Sequence, residues 1–218
     1  GITTGGQSYC WGLNEFGQLG NGTTSDSPGP ALVGGAEIFT QISAGGLHTC
    51  ALNRIGEAFC WGLNRSGQLG DGTTDDRGVP ARVGTTRFTD ISAGGLHSCG
   101  VDVDGDALCW GYNGSGALGD DTLEDRPTPV PVTGGLSFRV VRAGLHHSCG
   151  IVTSGRVVCW GYNRFGQLGD GSRFDRPEPG DVLYGERFFE EDTDGSGEVN
   201  EAVAALLKGR LIPVRPRS

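Results

Sequence analysis

Apolar positions along this chain fall in short runs rather than along helical faces. Cys50–Leu52 and Ala58–Trp61 are apolar and β-favouring, and clusters of Gly, Asn, Asp and Pro separate them from the neighbouring runs. Weaker runs of the same kind lie near Ala31–Val33 and Phe39–Ser43. No stretch of ~18 apolar residues occurs, so the pattern predicts no membrane span.

The runs recur. "CWGLNEFGQLGNGTT" at Cys10 returns as "CWGLNRSGQLGDGTT" at Cys60, "CWGYNGSGALGDDT" at Cys109 and "CWGYNRFGQLGDGS" at Cys159, in steps of 50, 49 and 50 residues. Trp11, Trp61, Trp110 and Trp160 share one position of the repeat, and Phe39, Phe88, Phe138 and Phe188 share another. A second block, "ISAGGLHTC", "ISAGGLHSC" and "VRAGLHHSC", sets His48, His97 and His147 in register and leaves His146 outside it. Four short strands in each repeat predict an all-β fold, a β-propeller of four-stranded blades forming a partial or incomplete ring, rather than a helical solenoid. The repeats occupy residues 1–189. Residues 190–218 depart from them and read as a separate loop, short helix and basic tail.

Composition agrees with turn-rich β structure. The chain has 218 residues, 36% of them hydrophobic, and its 41 glycines follow no Gly-X-Y period. Net charge is −9, and Lys208, Arg210, Arg215 and Arg217 crowd the end, leaving 13 basic against 26 acidic side chains in residues 1–207. That balance argues against a phosphate-tracking surface, so no nucleic-acid partner is expected.

The cysteines sharpen the hairpins. Cys50 and Cys60 are centred on Ile55, so placing them opposite each other leaves Arg54, Ile55 and Gly56 as a three-residue loop with glycine at its left-handed last position. Cys99 with Cys109 and Cys149 with Cys159 frame loops ending in Gly105 and Gly155 in the same way. Opposed residues on antiparallel strands lie within disulfide reach, which makes three cross-strand disulfides the preferred reading. Reduced core cysteines are one alternative, and zinc held by His48, Cys50 and Cys60 is another, though no fourth ligand is visible. Disulfides would place the protein in a secreted, periplasmic or cell-surface setting. The same register puts the partner of Cys10 one residue before Gly1. Cys10 is therefore expected to be unpaired or intermolecular, its hairpin completed by an upstream segment or a second chain, and the absence of methionine is expected of a processed product or fragment.

The paired blocks "AGGLHTCAL" and "CWGLNRSGQLGDGTT" resemble the repeat of the regulator of chromosome condensation family, over about residues 1–189. The resemblance implies a propeller, commonly of seven blades, in which the repeat histidine and tryptophan are structural. Proteins of this fold include a chromatin-binding nucleotide exchange factor for a small GTPase, a plant ultraviolet photoreceptor and a secreted bacterial β-lactamase inhibitor. The acidic body differs from the first, the lone tryptophan per repeat differs from the second, and the hairpin cysteines look like extracellular bacterial members.

Function on such a scaffold belongs to its loops. Between otherwise identical repeats the positions after the tryptophan vary, and Phe16, Arg65, Tyr112, Tyr162, Arg164 and Phe165 are the candidate partner-binding residues, being of the types that anchor interfaces. Loop drift would give the same variation. No catalytic constellation emerges, and the chain is expected to be no enzyme. The sequence points to a non-catalytic secreted or surface module that binds a protein partner; a regulator of an enzyme, acting as a β-lactamase-type inhibitor or a GTPase exchange factor, and a structural part of an extracellular assembly are the rivals. Asn21, Asn64 and Asn113 open formal glycosylation sequences, although Asn14 and Asn163 hold the position of Asn64 without the hydroxyl residue, which favours a turn role there. Asp192, Asp194, Ser196, Glu198 and Asn200 resemble a calcium loop of the EF-hand or dockerin kind, followed by a helix from Asn200. Val203 stands where the bidentate carboxylate belongs. Calcium is the one cofactor the sequence suggests.

Overall fold

The computed structural model describes residues 1–183, and the calcium-loop residues Asp192, Asp194, Ser196, Glu198 and Asn200 lie outside them. Thirteen strands, all paired antiparallel, make up the regular structure of the described residues. β1 (Tyr9–Gly12) and β2 (Ser27–Leu32) form a two-stranded sheet. β3 (Phe39–Ala44), β4 (His48–Asn53), β5 (Glu57–Gly62) and the first part of β6 (Arg77–Ala93) make the first complete blade. The rest of β6 pairs with β7 (His97–Asp102), which continues through β8 (Ala107–Gly111) to β9 (Arg126–Pro131). β10 (Phe138–Ala143), β11 (His147–Val152), β12 (Val157–Gly161) and β13 (Arg176–Asp181) form a third complete blade.

One strand departs from the four separate strands per repeat that the sequence predicts. Val33 to Phe39 and Val132 to Phe138 are six residues apart and contain Gly34–Gly35 and Gly134–Gly135, whereas Val83 to Phe88 spans five with a single glycine and two β-branched threonines. The shorter segment turns only at Gly84, at φ 47°, and the strand resumes through the two threonines, so β6 runs 17 residues and serves two blades. This deletion also accounts for the 49-residue step.

The hairpins adopt the register read from the cysteines. Cys50 faces Cys60, Cys99 faces Cys109 and Cys149 faces Cys159. Their sulfurs lie 2.11, 2.10 and 2.08 Å apart, at disulfide distance. Gly56, Gly105 and Gly155 close the loops at φ of 80°, 88° and 91°. Cys10 has no such partner among the described residues, and burial pushes its thiol up from its ordinary value.

The hydrophobic core sits between blades. Cys50, Leu52, Ala58 and Leu69 of one repeat pack with Phe88, Ile91 and Trp110 of the next. Trp61, Trp110 and Trp160 are fully buried, whereas Trp11 is 57% exposed. A methyl added to Gly70, which has φ +71°, would come 2.7 Å from the Trp110 Nε1, so each indole slides under the preceding loop only because glycine is there. Polar pins cross the same seams. Ser98 Oγ donates to the Gln68 carbonyl at 2.9 Å and accepts from His48 Nε2 at 2.8 Å; Ser148 Oγ does the same with Ala117 and His97. Because the hydroxyl proton is committed to the carbonyl, His48 and His97 must carry theirs on Nε2. Burial drives His48 down to about 4 and His97 to about 3, so both rings are neutral structural groups.

Candidate interaction face

The loop after each tryptophan is built around a buried asparagine. Asn14, Asn64, Asn113 and Asn163 are 0% exposed. In the second repeat Asn64 N donates to Asp76 Oδ1 at 2.7 Å, its Oδ1 accepts from Leu69 N at 2.9 Å, and its Nδ2 reaches the Thr73 and Asp75 carbonyls at 3.1 and 3.0 Å. Every polar atom of the side chain is spent on the loop, which is why the residue recurs in all four copies. Asp71 completes the frame by pairing with Arg77 at 2.8 Å; burial opposes its ionisation, but hydrogen bonds from Thr73 and Arg77 outweigh that and hold its carboxyl below the ordinary value. Asp120 with Arg126 and Asp170 with Arg176 repeat the pair.

The frame ties the variable positions to the turn before each repeat histidine, leaving Leu13, Arg65 and Phe165 exposed, Phe16, Tyr112 and Tyr162 half-buried and Leu63 buried. Leu63 N donates to Leu47 O, Tyr112 N to Leu96 O and Tyr162 N to His146 O, each at 2.9 Å. Loops and turns therefore share one end of each blade.

Five of the six predicted partner-binding residues gather there in two groups. The Arg65 guanidinium stands 5.7 Å from the centre of the Phe16 ring, bridging two repeats. Tyr112, Tyr162 and Phe165 form a chain through His146, with Tyr112–His146 at 6.1 Å, His146–Tyr162 at 6.2 Å and Tyr162–Phe165 at 6.2 Å, all edge-to-face. Phe165 is 85% exposed and Leu145, beside His146, 67%. Arg164 is exposed and joins neither group.

His146 is the residue that sequence reasoning left aside. The signal was present as a coupled change: where the first two repeats carry Leu13, Leu47, Leu63 and Leu96, the later ones carry Tyr112, His146 and Tyr162. Position in the repeat gave the tyrosines; only the fold gave the histidine between them.

The aromatic edges and Arg65 of this face suit a desolvated protein contact, and no cluster of three or more potential metal ligands occurs among the described residues.

The regulator of chromosome condensation (RCC1) repeat model matches residues 5–52, 56–101, 104–151 and 154–189. The chain belongs to the RCC1 repeat family. Human E3 ubiquitin-protein ligase HERC2 is 44% identical over 52 residues, 23% of this chain and 1% of HERC2. Human RCC2 is 42% identical over 57 residues, 25% of this chain and 11% of RCC2. Among solved structures, human WBSCR16 superposes with a TM-score of 0.76 at 24% identity, covering 84% of this chain and 50% of that one. Prp20p from Saccharomyces cerevisiae has a TM-score of 0.73 at 24% identity, covering 84% and 48%. The chain thus spans half or less of each of these relatives, and the structural likenesses carry the propeller fold alone.

Proposed function

We propose that this RCC1-repeat chain is a non-catalytic protein-interaction module that holds its partner on the loop end carrying Phe16, Arg65, Tyr112, His146, Tyr162 and Phe165. One observation carries the reading: aromatics from separate repeats, half-buried at Tyr112, His146 and Tyr162 and exposed at Phe165, meet at a blade end whose loops are fixed by buried asparagines, so side chains of hot-spot type are presented with little entropy left to lose. The solved relative Prp20p binds Gsp1p and histones, which supports the use of such a scaffold to hold proteins. The three cysteine pairs fit a secreted, periplasmic or cell-surface setting. Calcium binding by Asp192, Asp194, Ser196, Glu198 and Asn200 belongs to the same proposal, as a cofactor role for the appendage.

The test compares partner recovery by the parent chain, a Tyr162→Ala/Phe165→Ala variant and an Ile55→Asp/Val103→Asp variant altered at the hairpin turns of the opposite end. Partners recovered by the parent and the turn variant should be lost from the aromatic variant. Equal recovery by the two variants overturns the assignment of the face.

A further inference from the structure

Three glycosylation sequences, Asn21-Gly22-Thr23, Asn64-Arg65-Ser66 and Asn113-Gly114-Ser115, look alike in the sequence and fall into two kinds in the fold. Asn64 and Asn113 are sealed. Both are 0% exposed, and their Nδ2 atoms donate into the loop, Asn113 to Asp120 Oδ1 at 2.9 Å and to the Thr122 carbonyl at 3.0 Å. A sugar on either nitrogen would cost the loop its frame.

Asn21 occupies another position, the one held by Asp71, Asp120 and Asp170 in the later repeats. In the second repeat that carboxylate divides its work. Asp71 Oδ1 accepts from Thr73 N at 3.0 Å and Thr73 Oγ1 at 2.7 Å, while Oδ2 takes the Arg77 guanidinium. In the first repeat both ends of the ion pair are replaced together: Asn stands for the aspartate and Ser27 for the arginine. Asn21 Oδ1 keeps the local bonds, accepting from Thr23 N at 3.1 Å and Thr23 Oγ1 at 2.9 Å. Its Nδ2, standing where the second carboxylate oxygen would meet arginine, donates to no protein group among the described residues, and Gly22 through Asp26 are exposed. The usual rival fate of an Asn-Gly pair, cyclisation through the glycine nitrogen, is disfavoured because Gly22 N is held by the Gly78 carbonyl at 2.9 Å.

We propose that Asn21 is an acceptor for N-linked glycosylation and that Asn64 and Asn113 are not. The donor class is a lipid-pyrophosphate-linked oligosaccharide. Nδ2 gives up one proton and bonds to the anomeric carbon of the first sugar, the bond from that carbon to the pyrophosphate oxygen breaks, and the lipid pyrophosphate leaves with the electron pair. The proposal rests on the reading that the chain matures in an oxidising, exported compartment.

The full chain is expressed through a glycosylating eukaryotic secretory pathway, and the folded product is treated with an amidase that removes N-glycans in heavy-oxygen water. Peptide mass spectrometry should find the label at Asn21 alone. Thr23→Ala, which keeps the asparagine but removes its hydroxyl partner, should abolish the glycan, and Asn21→Gln should do the same. Unlabelled Asn21 in folded product overturns the proposal, as does label at Asn64 or Asn113. Free-thiol counting on the same sample separates the two readings: reduced hairpin cysteines beside a labelled Asn21 count against the disulfides while supporting the site.

Discussion

Acid should loosen the seams between blades, and the size of the effect can be worked from two side chains. His48 and His97 are fully buried, with folded values of about 4 and about 3 against an ordinary 6.5. A folded value below the unfolded one means that the unfolded chain takes up protons first. Stability is therefore complete above about 6.5 and declines as pH falls from there toward the folded values. Between about pH 7 and about pH 5 an unfolded histidine becomes almost fully protonated while both buried rings remain neutral, which costs ~2 kcal/mol for each and ~4 kcal/mol for the pair. His147 is shifted the same way by burial and by His146. The carboxylates do not confuse this window, since Asp71, Asp120 and Asp170 are all held below their ordinary 3.8. Urea unfolding at several pH values measures the loss directly, and His97→Gln should remove ~2 kcal/mol of the pH dependence. A change below ~1 kcal/mol from about pH 7 to about pH 5, or an NMR titration of either ring near its ordinary value, would refute the reasoning.

Other expectations concern single seams and loops. Cys99→Ala/Cys109→Ala removes a cross-link closing a loop of 10 residues and should cost about 2–3 kcal/mol in chemical denaturation; an unchanged midpoint would mean that the pair is not oxidised in solution. Asn64→Ala leaves the Leu69 amide and the Thr73 and Asp75 carbonyls without their partner and should cost ~3 kcal/mol, whereas Arg77→Ala at the solvent edge of the same loop should cost under ~1 kcal/mol. Equal losses in thermal melts would sink the claim that the asparagine is the frame.

The hairpins were legible because their determinants are local. A fixed cysteine spacing and a closing glycine set strand register within a dozen residues, and the strands pair in that register. The extended β6 was visible only as a step one residue short, since whether a deletion bends or straightens the backbone depends on which residues remain. The seams were less accessible still. His48 meets Ser98 and His97 meets Ser148 across 50 and 51 residues, and in sequence the serine is merely the residue after the next histidine. For the face, Phe16 and Arg65 read as separate variable positions, and nothing along the chain states that the guanidinium of one repeat lies over the ring of the one before.

β6 also changes what can move and what can be exchanged. In a stack of repeats each unit ordinarily answers only to its neighbours across side-chain contacts. Here Arg77–Ala93 threads two sheets on one spine, paired to β5 at one end and β7 at the other. Those two blades cannot shear past each other without breaking a ladder, so they should fray as a single body. The joints at Gly34–Gly35 and Gly134–Gly135 carry no such spine, and they are where a whole blade could be gained or lost in descent without cutting a strand in two.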